Sequence, residues 1–237
     1  MKVLVIPDVH LKPWIFDKAD ELIKDGSAER VVCLMDLADD WNMEFQIEEY
    51  KLTYDRAIQF AKEHPDTLWC YGNHDLSYVW GYLETGYSVY AENTVVSKMR
   101  ELENALNYPS QIAIMQRVDK VLFAHGGLSV EFIRRLDESI IDADIDEVLP
   151  IINNSSMEIL WKDDSPLWLR PQYHSVDAFR KDEYIQVVGH TPVEKIYEES
   201  GFISVDVFST YRDKTQIGES AFLVIETETG EYEVKRV

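Results

Sequence analysis

The chain has 237 residues, 46% hydrophobic and 28% charged, an ordinary globular composition long enough to fold without a disulfide or a structural metal. Its 23 Lys and Arg against 44 Asp and Glu leave a formal charge of −21, whose field argues against a nucleic-acid scaffold or an anionic membrane surface as partner. Anionic small substrates are not excluded, because local cations and bound metals can hold them.

Val3 to Ile6 is a short apolar run that stops at Pro7. Val31 to Met35 is a second, stopping at Asp36, and Leu68 to Tyr71 a third, stopping at Gly72. Such runs, bounded by turn signals and rich in β-branched residues, predict strands buried on both faces. Helices are predicted between them near 14–24 and 41–63. In the second, Phe45, Ile47, Leu52, Ile58 and Phe60 are apolar amid Glu, Lys and Gln, and Asp39 or Asp40 is placed as its N-cap. The order β-α-β-α-β predicts a parallel sheet with right-handed crossovers.

An aromatic stretch follows over residues 78–90, with Tyr78, Trp80, Tyr82, Tyr87 and Tyr90. Hydrophobic packing of a surface insertion is the favoured reading, and a substrate-side wall able to stack a nucleobase is the other. A helix is predicted over 91–106. Gln111 to Gln116 and Val118 to Ala124 read as adjacent strands, with helical material near 129–136 and 144–152. Further strands are predicted at Ile185–Val188, Ile203–Val207, Ala221–Ile225 and Tyr232–Val237, the last two joined by a hairpin through Glu226 to Gly230. No linker separates the halves, so residues 1–237 are expected as one domain with two packed sheets. Cys33 and Cys70 lie in apolar runs and read as small buried hydrophobes. No segment approaches the roughly 18 apolar residues of a membrane span, and the N-terminal run is too short for a signal peptide. A soluble protein of a reducing cytoplasm is therefore expected.

The polar residues collect where the apolar runs end. After the first come Asp8 and His10, after the second Asp36, Asp39 and Asp40, and after the third Gly72-Asn73-His74-Asp75. His125-Gly126-Gly127 follows Ala124, and Gly189-His190-Thr191-Pro192 follows Val188. Each block alone reads as a turn or cap. Together they place four of the six histidines (10, 74, 125 and 190) at strand C-termini, the edge where an open α/β sheet binds ligands. Imidazoles, carboxylates and an amide carbonyl suit borderline divalent metals such as Mn, Fe or Zn. Their number exceeds what one ion uses. It fits two ions roughly 3.5–4 Å apart with a bridging carboxylate, a pair that clamps the oxygens of in-line phosphoryl transfer.

The five blocks resemble those of the calcineurin-like metallophosphoesterases, particularly the serine/threonine phosphatase-like branch with bacterial and phage members. The family pattern D-x-H, G-D-x-x-D, G-N-H-(D/E), H-G-G and G-H-T-P occurs here in that order between residues 8 and 192. The resemblance implies a four-layer α-β-β-α sandwich with two mixed sheets and the site on one edge. It implies two divalent transition-metal ions, Mn first with Fe or Zn as alternatives. Asp8 and His10 would hold one, Asn73, His125 and His190 the second, with Asp36 bridging. His74, oriented by Asp39, would protonate the leaving oxygen while a metal-bridging hydroxide attacks phosphorus. Arg170, in Trp168-Leu169-Arg170, matches a family arginine and is the candidate substrate-binding residue. Two positions depart from the pattern. Met35 replaces the glycine before the bridging carboxylate, and Asp40 replaces the arginine that protein phosphatases carry after the orienting Asp. Ser204-Val205-Asp206-Val207-Phe208 matches the block after G-H-T-P more weakly. The implied activity is a metal-dependent phosphatase acting on a phosphorylated small molecule, nucleotide or phosphoprotein. A nucleotide or dinucleoside polyphosphate hydrolase is the alternative, with a catalytically silent binding protein behind it; the charge disfavours a nuclease.

Overall fold

β1 (Lys2–Ile6), β2 (Arg30–Cys33) and β3 (Leu68–Cys70) are apolar and buried along almost their whole length, as strands covered on both faces must be. The computed structural model describes residues 1–237, and in it β1 pairs parallel with β2 and β2 with β3. Helices α1 (Trp14–Lys24) and α2 (Ile47–Glu63) make the crossovers. Ile15 and Phe16 of the first and Tyr54 and Phe60 of the second join the strands in one buried cluster of 46 residues.

The second helix begins at Ile47 and not near Trp41. Residues 41–46 are held by a distant loop instead: Trp41 Nε1 donates to the Thr210 carbonyl at 2.9 Å and Asn42 Nδ2 to that of Arg212 at 3.1 Å. Asn42 sits at φ +60°, which ends any helical continuation, and neither Asp39 nor Asp40 is the cap. The G-N-H-D block is likewise not a loop. Gly72 is the N-cap of a helix the sequence pattern missed, α3 (Asn73–Trp80), which closes on Gly81 at φ +64°.

After α4 (Glu92–Ala105) and a 3-10 turn at Pro109–Gln111, the run expected as one strand divides. β4 (Ile112–Ala113) adds to the edge of the first sheet beside β3. β5 (Met115–Val118) pairs antiparallel with β6 (Val121–Ala124) in the second. The buried Gln111 side chain fixes the start of this segment, donating to the carbonyls of Pro65 and Thr67 at 2.6 and 3.1 Å. The hairpin turn falls at Asp119, φ +50°, so Val118 belongs to the strand before it.

The remainder is α5 (Val130–Asp137), α6 (Ile145–Asn153), α7 (Met157–Leu160), β7 (Ile185–Val188), β8 (Tyr197–Glu199), β9 (Phe202–Ser204), β10 (Ala221–Glu226) and β11 (Tyr232–Arg236). The sheets are mixed, ordered β11-β10-β1-β2-β3-β4 and β5-β6-β7-β9-β8. Alternation along β6 shows how they stack. Val121 and Phe123 face the large core shared with the first sheet, while Leu122 and Ala124 pack with Phe132 of α5 and Val148 of α6 in a second cluster. Two parallel trios result, β1-β2-β3 and β6-β7-β9, and residues just past their C-terminal ends meet in one cleft. No helix is long and apolar enough to cross a membrane.

Candidate metal centre

The loops past β1 and β2 continue the sheet rather than fraying. Val9, His10 and Leu11 donate their N–H groups to the carbonyls of Met35, Asp36 and Leu37 at 2.8 to 3.1 Å. The backbone turns sharply to do so: His10, Leu11, Met35, Asp36, Asp39 and His190 all have φ between +41° and +63°. Left-handed conformations are costly for non-glycine residues and collect where surrounding structure enforces a functional geometry. Met35 at φ +57° accounts for the family's usual glycine there. Here a fully buried methionine occupies the strained position and fills core volume.

Asp36 is the hub. Its Oδ2 lies 3.1 Å from His125 Nε2 and 3.8 Å from His10 Nε2, and its Oδ1 accepts the His74 N–H at 3.0 Å. His125 Nε2 is also 2.9 Å from Asn73 Oδ1 and 3.1 Å from His190 Nδ1. Asp8 sits opposite, its carboxylate accepting the His190 N–H at 2.7 and 3.2 Å and lying 3.6 Å from His125 Nδ1. Two sets of donor atoms converge to within 4.8 Å, Asp36-His125-His190 and Asp8-His10-Asp36, and the one carboxylate belongs to both.

These donors fit cations. A ring nitrogen of His10, Nδ1, is held by the Asp39 carbonyl at 2.9 Å, which leaves Nε2 facing Asp36, the orientation a metal-ligating imidazole takes. His125 Nδ1 similarly faces the Leu34 carbonyl at 3.3 Å. His190 Nε2 is buried without any partner, and His190 Nδ1 abuts another imidazole nitrogen. The electrostatics agree. Burial opposes ionisation of Asp36, yet His125, His74 and His10 hold it far below the usual carboxylate range. Burial and then Asp206 push Asp8 well above that range. Burial, with His125 and Arg170 adding to it, keeps His190 neutral. Burial opposes charging of His125, but Asp36 and Asp8 push it up to about 9, so in the metal-free protein a proton supplies positive charge at the point where a bound cation would stand.

Two glycines make room for the carboxylates. A Cβ on Gly72 would stand 1.9 Å from Asp36 Oδ1, and one on Gly189 would stand 2.1 Å from Asp8 Oδ2. Gly189→Ala is therefore expected to displace Asp8 and weaken binding of added Mn²⁺ by about 10–100-fold, the range typical of disturbed ligand supports. Titration calorimetry against the wild type checks this; unchanged affinity would mean that Asp8 moves freely or holds no ion.

His74 stands beside this cluster, 19% exposed, with Nδ1 2.8 Å from Asp39 Oδ2. The other Asp39 oxygen accepts from Tyr50 and Tyr78 hydroxyls at 2.8 and 2.6 Å. Neither tyrosine was identified as a site residue from sequence. Tyr78 belongs to the aromatic stretch 78–90, most of which packs: Trp80 and Tyr82 lie against Trp161, and Tyr90 against Phe45. Tyr87, stacked on Tyr78 at 4.2 Å, lines the cleft. Arg170 also reaches the cleft, where Nη1 donates to the His190 carbonyl at 2.9 Å and to Thr191 Oγ1 at 3.2 Å. It makes no ion pair, unlike the surface arginines 56, 135 and 180.

Asp40 does not face the cluster as a bare acid. It pairs with Lys12 at 3.5 Å and Lys214 at 3.2 Å and accepts from Thr210 Oγ1, tying the 210–214 loop to the cleft mouth. That loop brings Arg212 over the Trp41 ring at 4.8 Å, a second guanidinium at the cleft that nothing in the local sequence marks. The cleft holds about 700 Å³. His64, paired with Asp20, and the exposed His174 lie apart from it.

The family model described as calcineurin-like phosphoesterase matches residues 1–216. Among solved structures, the cold-active protein-tyrosine phosphatase of the psychrophile Shewanella sp. is similar at TM-score 0.61 and 18% identity, covering 99% of this chain and 80% of that one. Another structure of a cold-active protein tyrosine phosphatase gives 0.58 at 18% identity, covering 98% and 78%. An archaeal phosphodiesterase gives 0.40 at 15% identity, covering 100% of both chains. At these identities the likeness to the two phosphatase structures is one of fold. No curated protein matches the chain.

Proposed function

The chain belongs to the calcineurin-like phosphoesterase family and is a phosphoric ester hydrolase, and from that premise we propose that it works through two divalent cations held around Asp36. The observation that carries this reading is the membership of one carboxylate in both donor sets. Asp8, His10 and Asp36 would hold one ion, and Asp36, Asn73, His125 and His190 the other. Such a pair, when bound, activates a hydroxide nucleophile and neutralises the phosphoryl oxygens. Mn is the preferred metal for this mixture of imidazoles, carboxylates and an amide oxygen, with Fe or Zn as alternatives.

The chain's own groups do the rest. His74 donates its Nδ1 proton to Asp39 and so presents Nε2 to the leaving oxygen, the geometry of a general acid. Tyr50 and Tyr78 keep the Asp39 carboxylate from rotating. Arg170, held by one nitrogen, has the remainder of its fork free for the phosphoryl oxygens. Arg170→Ala is expected to lower kcat/KM by about 2–4 kcal/mol, with kcat as well as KM affected, and Arg170→Lys to recover only part, because a point charge cannot replace the fork. Steady-state kinetics with metal content measured in parallel checks this, since the Nη1 contact also supports the His190 backbone. Near wild-type values in both variants would remove Arg170 from phosphate binding.

The substrate reading is a phosphorylated small molecule, nucleotide or phosphoprotein. Asp40 removes the arginine of the family's protein phosphatases, while Arg212 on Trp41 adds a cation and an aromatic face suited to a nucleotide or dinucleoside polyphosphate. Metal analysis combined with a panel of phosphotyrosine and phosphoserine peptides, nucleotides, dinucleoside polyphosphates and an aryl phosphate tests the whole reading. Fewer than two ions per chain, or no turnover on any ester, would overturn it. Residues 1–237 are taken as one phosphoesterase domain, because β10, beyond the family match, pairs with β1 and β11 pairs with β10. The free, buried Cys33 and Cys70 support a reducing, cytoplasmic setting.

A further inference from the structure

Asp206 lies two residues past the end of β9, as Asp8 lies two residues past the end of β1. A strand running to Val207 would have hidden it among core positions; the observed strand stops at Ser204. The residue is 1% exposed, and neither carboxylate oxygen has a hydrogen-bond partner of good geometry, the Ser209 hydroxyl being the one donor within reach. An unpaired buried carboxylate is among the most costly groups a fold can hold.

No cation of the chain forms an ion pair with it, although His10, His125 and Lys12 lie near enough to act on its charge. Lys12, its cleft neighbour, directs Nζ to the His10 carbonyl at 3.0 Å and to Asp40 at 3.5 Å and makes no ion pair with Asp206. His10 turns Nδ1 to the Asp39 carbonyl and Nε2 toward Asp36. His125 is engaged with Asp36 and Asp8, and Arg170 with His190 and Thr191. Ser209, also at the cleft, is the one hydroxyl close by. The backbone around Asp206 is fixed, its carbonyl accepting from Val193 N at 2.8 Å and the preceding N–H donating to Val188 O at 2.9 Å. Asp206 lines the cleft with His10, and its carboxylate is near enough to Asp8 and His10 for their charges to act on one another. The Asp8–His10 end has three donor residues in the two-ion reading, against four at the other. Asp206 is not among the atoms converging within 4.8 Å there, so its reach is electrostatic.

We propose that Asp206 is an outer carboxylate of the first cation's site, tightening the ion held by Asp8 and His10 through its charge without bonding to it. The inference rests on the two-ion reading. A dication beside Asp8, Asp36 and Asp206 relieves their mutual repulsion; without the ion, burial and that repulsion make the ionised forms of Asp8 and Asp206 costly. Neutralising Asp206 therefore has two effects of opposite sign. The metal-free protein becomes more stable, and one ion binds more weakly. A merely structural carboxylate would give the reverse of the first and none of the second.

The experiment is calorimetric titration of metal-free protein with Mn²⁺ alone, with metal-free melting temperatures measured alongside. Wild type, Asp206→Asn, Asp206→Ser and the distant surface control Glu228→Gln are compared. Two ions are expected on the wild type and the control. In both Asp206 variants one dissociation constant should weaken by about 10–100-fold, the range typical when outer-shell partners are changed, while the metal-free melting temperature rises. Wild-type affinities at both sites, in either Asp206 variant, would overturn the role of Asp206 and leave the two-ion reading standing. A metal-free melting temperature that falls, or failure of both variants to fold without metal, would also overturn it. Fewer than two ions on the wild type would instead overturn the two-ion reading itself.

Discussion

Asp36→Asn is expected to lose at least one metal ion and nearly all hydrolytic activity while keeping the fold. Its Oδ2 faces His125 Nε2 at 3.1 Å and His10 Nε2 at 3.8 Å, so it is the one carboxylate common to both donor sets. An amide of the same shape can still accept the His74 N–H that Oδ1 receives at 3.0 Å, so the first turn of α3 has no reason to unwind. In the two-ion reading, what is lost is a full negative charge between two dications, in a site buried from water where Coulomb effects are weakly screened. Removing a single preorganised electrostatic group from an active site typically costs about 10²–10³ in rate, and here the screening of both ions goes with it. A fall in kcat/KM of at least about 10³ is expected on that scale. Metal content and steady-state kinetics are the measurements. A variant with two ions and wild-type turnover would remove Asp36 from the centre of the mechanism.

His74→Asn should leave the metal content intact and fail selectively at protonating poor leaving groups. General acid catalysis is typically worth about 10²–10⁴-fold and matters most for an alkoxide, least for a stabilised phenolate. The loss should therefore be much larger on an alkyl phosphate than on an activated aryl phosphate. The pH profile supplies a second readout. Burial disfavours the charged ring, but the Asp36 and Asp39 carboxylates outweigh it and push His74 up to about 9 in the metal-free protein. An acid acts in its protonated form, so activity should fall as pH rises through the pKa of His74. Cations beside Asp36 offset that carboxylate and leave Asp39 as the chief support, which moves the alkaline limb below 9 in the loaded enzyme. The limb should be absent from His74→Asn. Equal losses on both substrates, or an unaltered limb, would assign His74 another role.

The strand-end blocks were legible in the chain itself. Short apolar runs that stop at Asp, Asn, His or Gly report buried parallel strands and the loops beyond them, because both signals are local. The runs at Val3, Leu68 and Ile185 became strands, and Asp8, Asp36, Asn73, His125 and His190 meet in one buried cluster. The helix near 14–24, expected between the first two runs, is likewise present as Trp14–Lys24.

What only the tertiary structure decided depends on distant partners. Residues 41–46 have a helical pattern, yet carbonyls at Thr210 and Arg212 hold Trp41 and Asn42 out of it. The apolar stretch around Ile114 has nothing local to tell it that Ile112 joins one sheet and Met115 the other; that choice follows from which edge strand each residue meets. Tyr50 and Tyr78 look like core aromatics in sequence and become the clamp on Asp39 only when α2 and α3 are both brought up to the loop after β2. Asp206 reads as part of a strand and becomes a buried carboxylate without an ion pair because β9 ends at Ser204, three residues short of Val207. Sequence spacing records what a residue does to its near neighbours. Which far hydroxyl, carbonyl or carboxylate it faces is set by long-range packing, and there the chemistry of this cleft is completed.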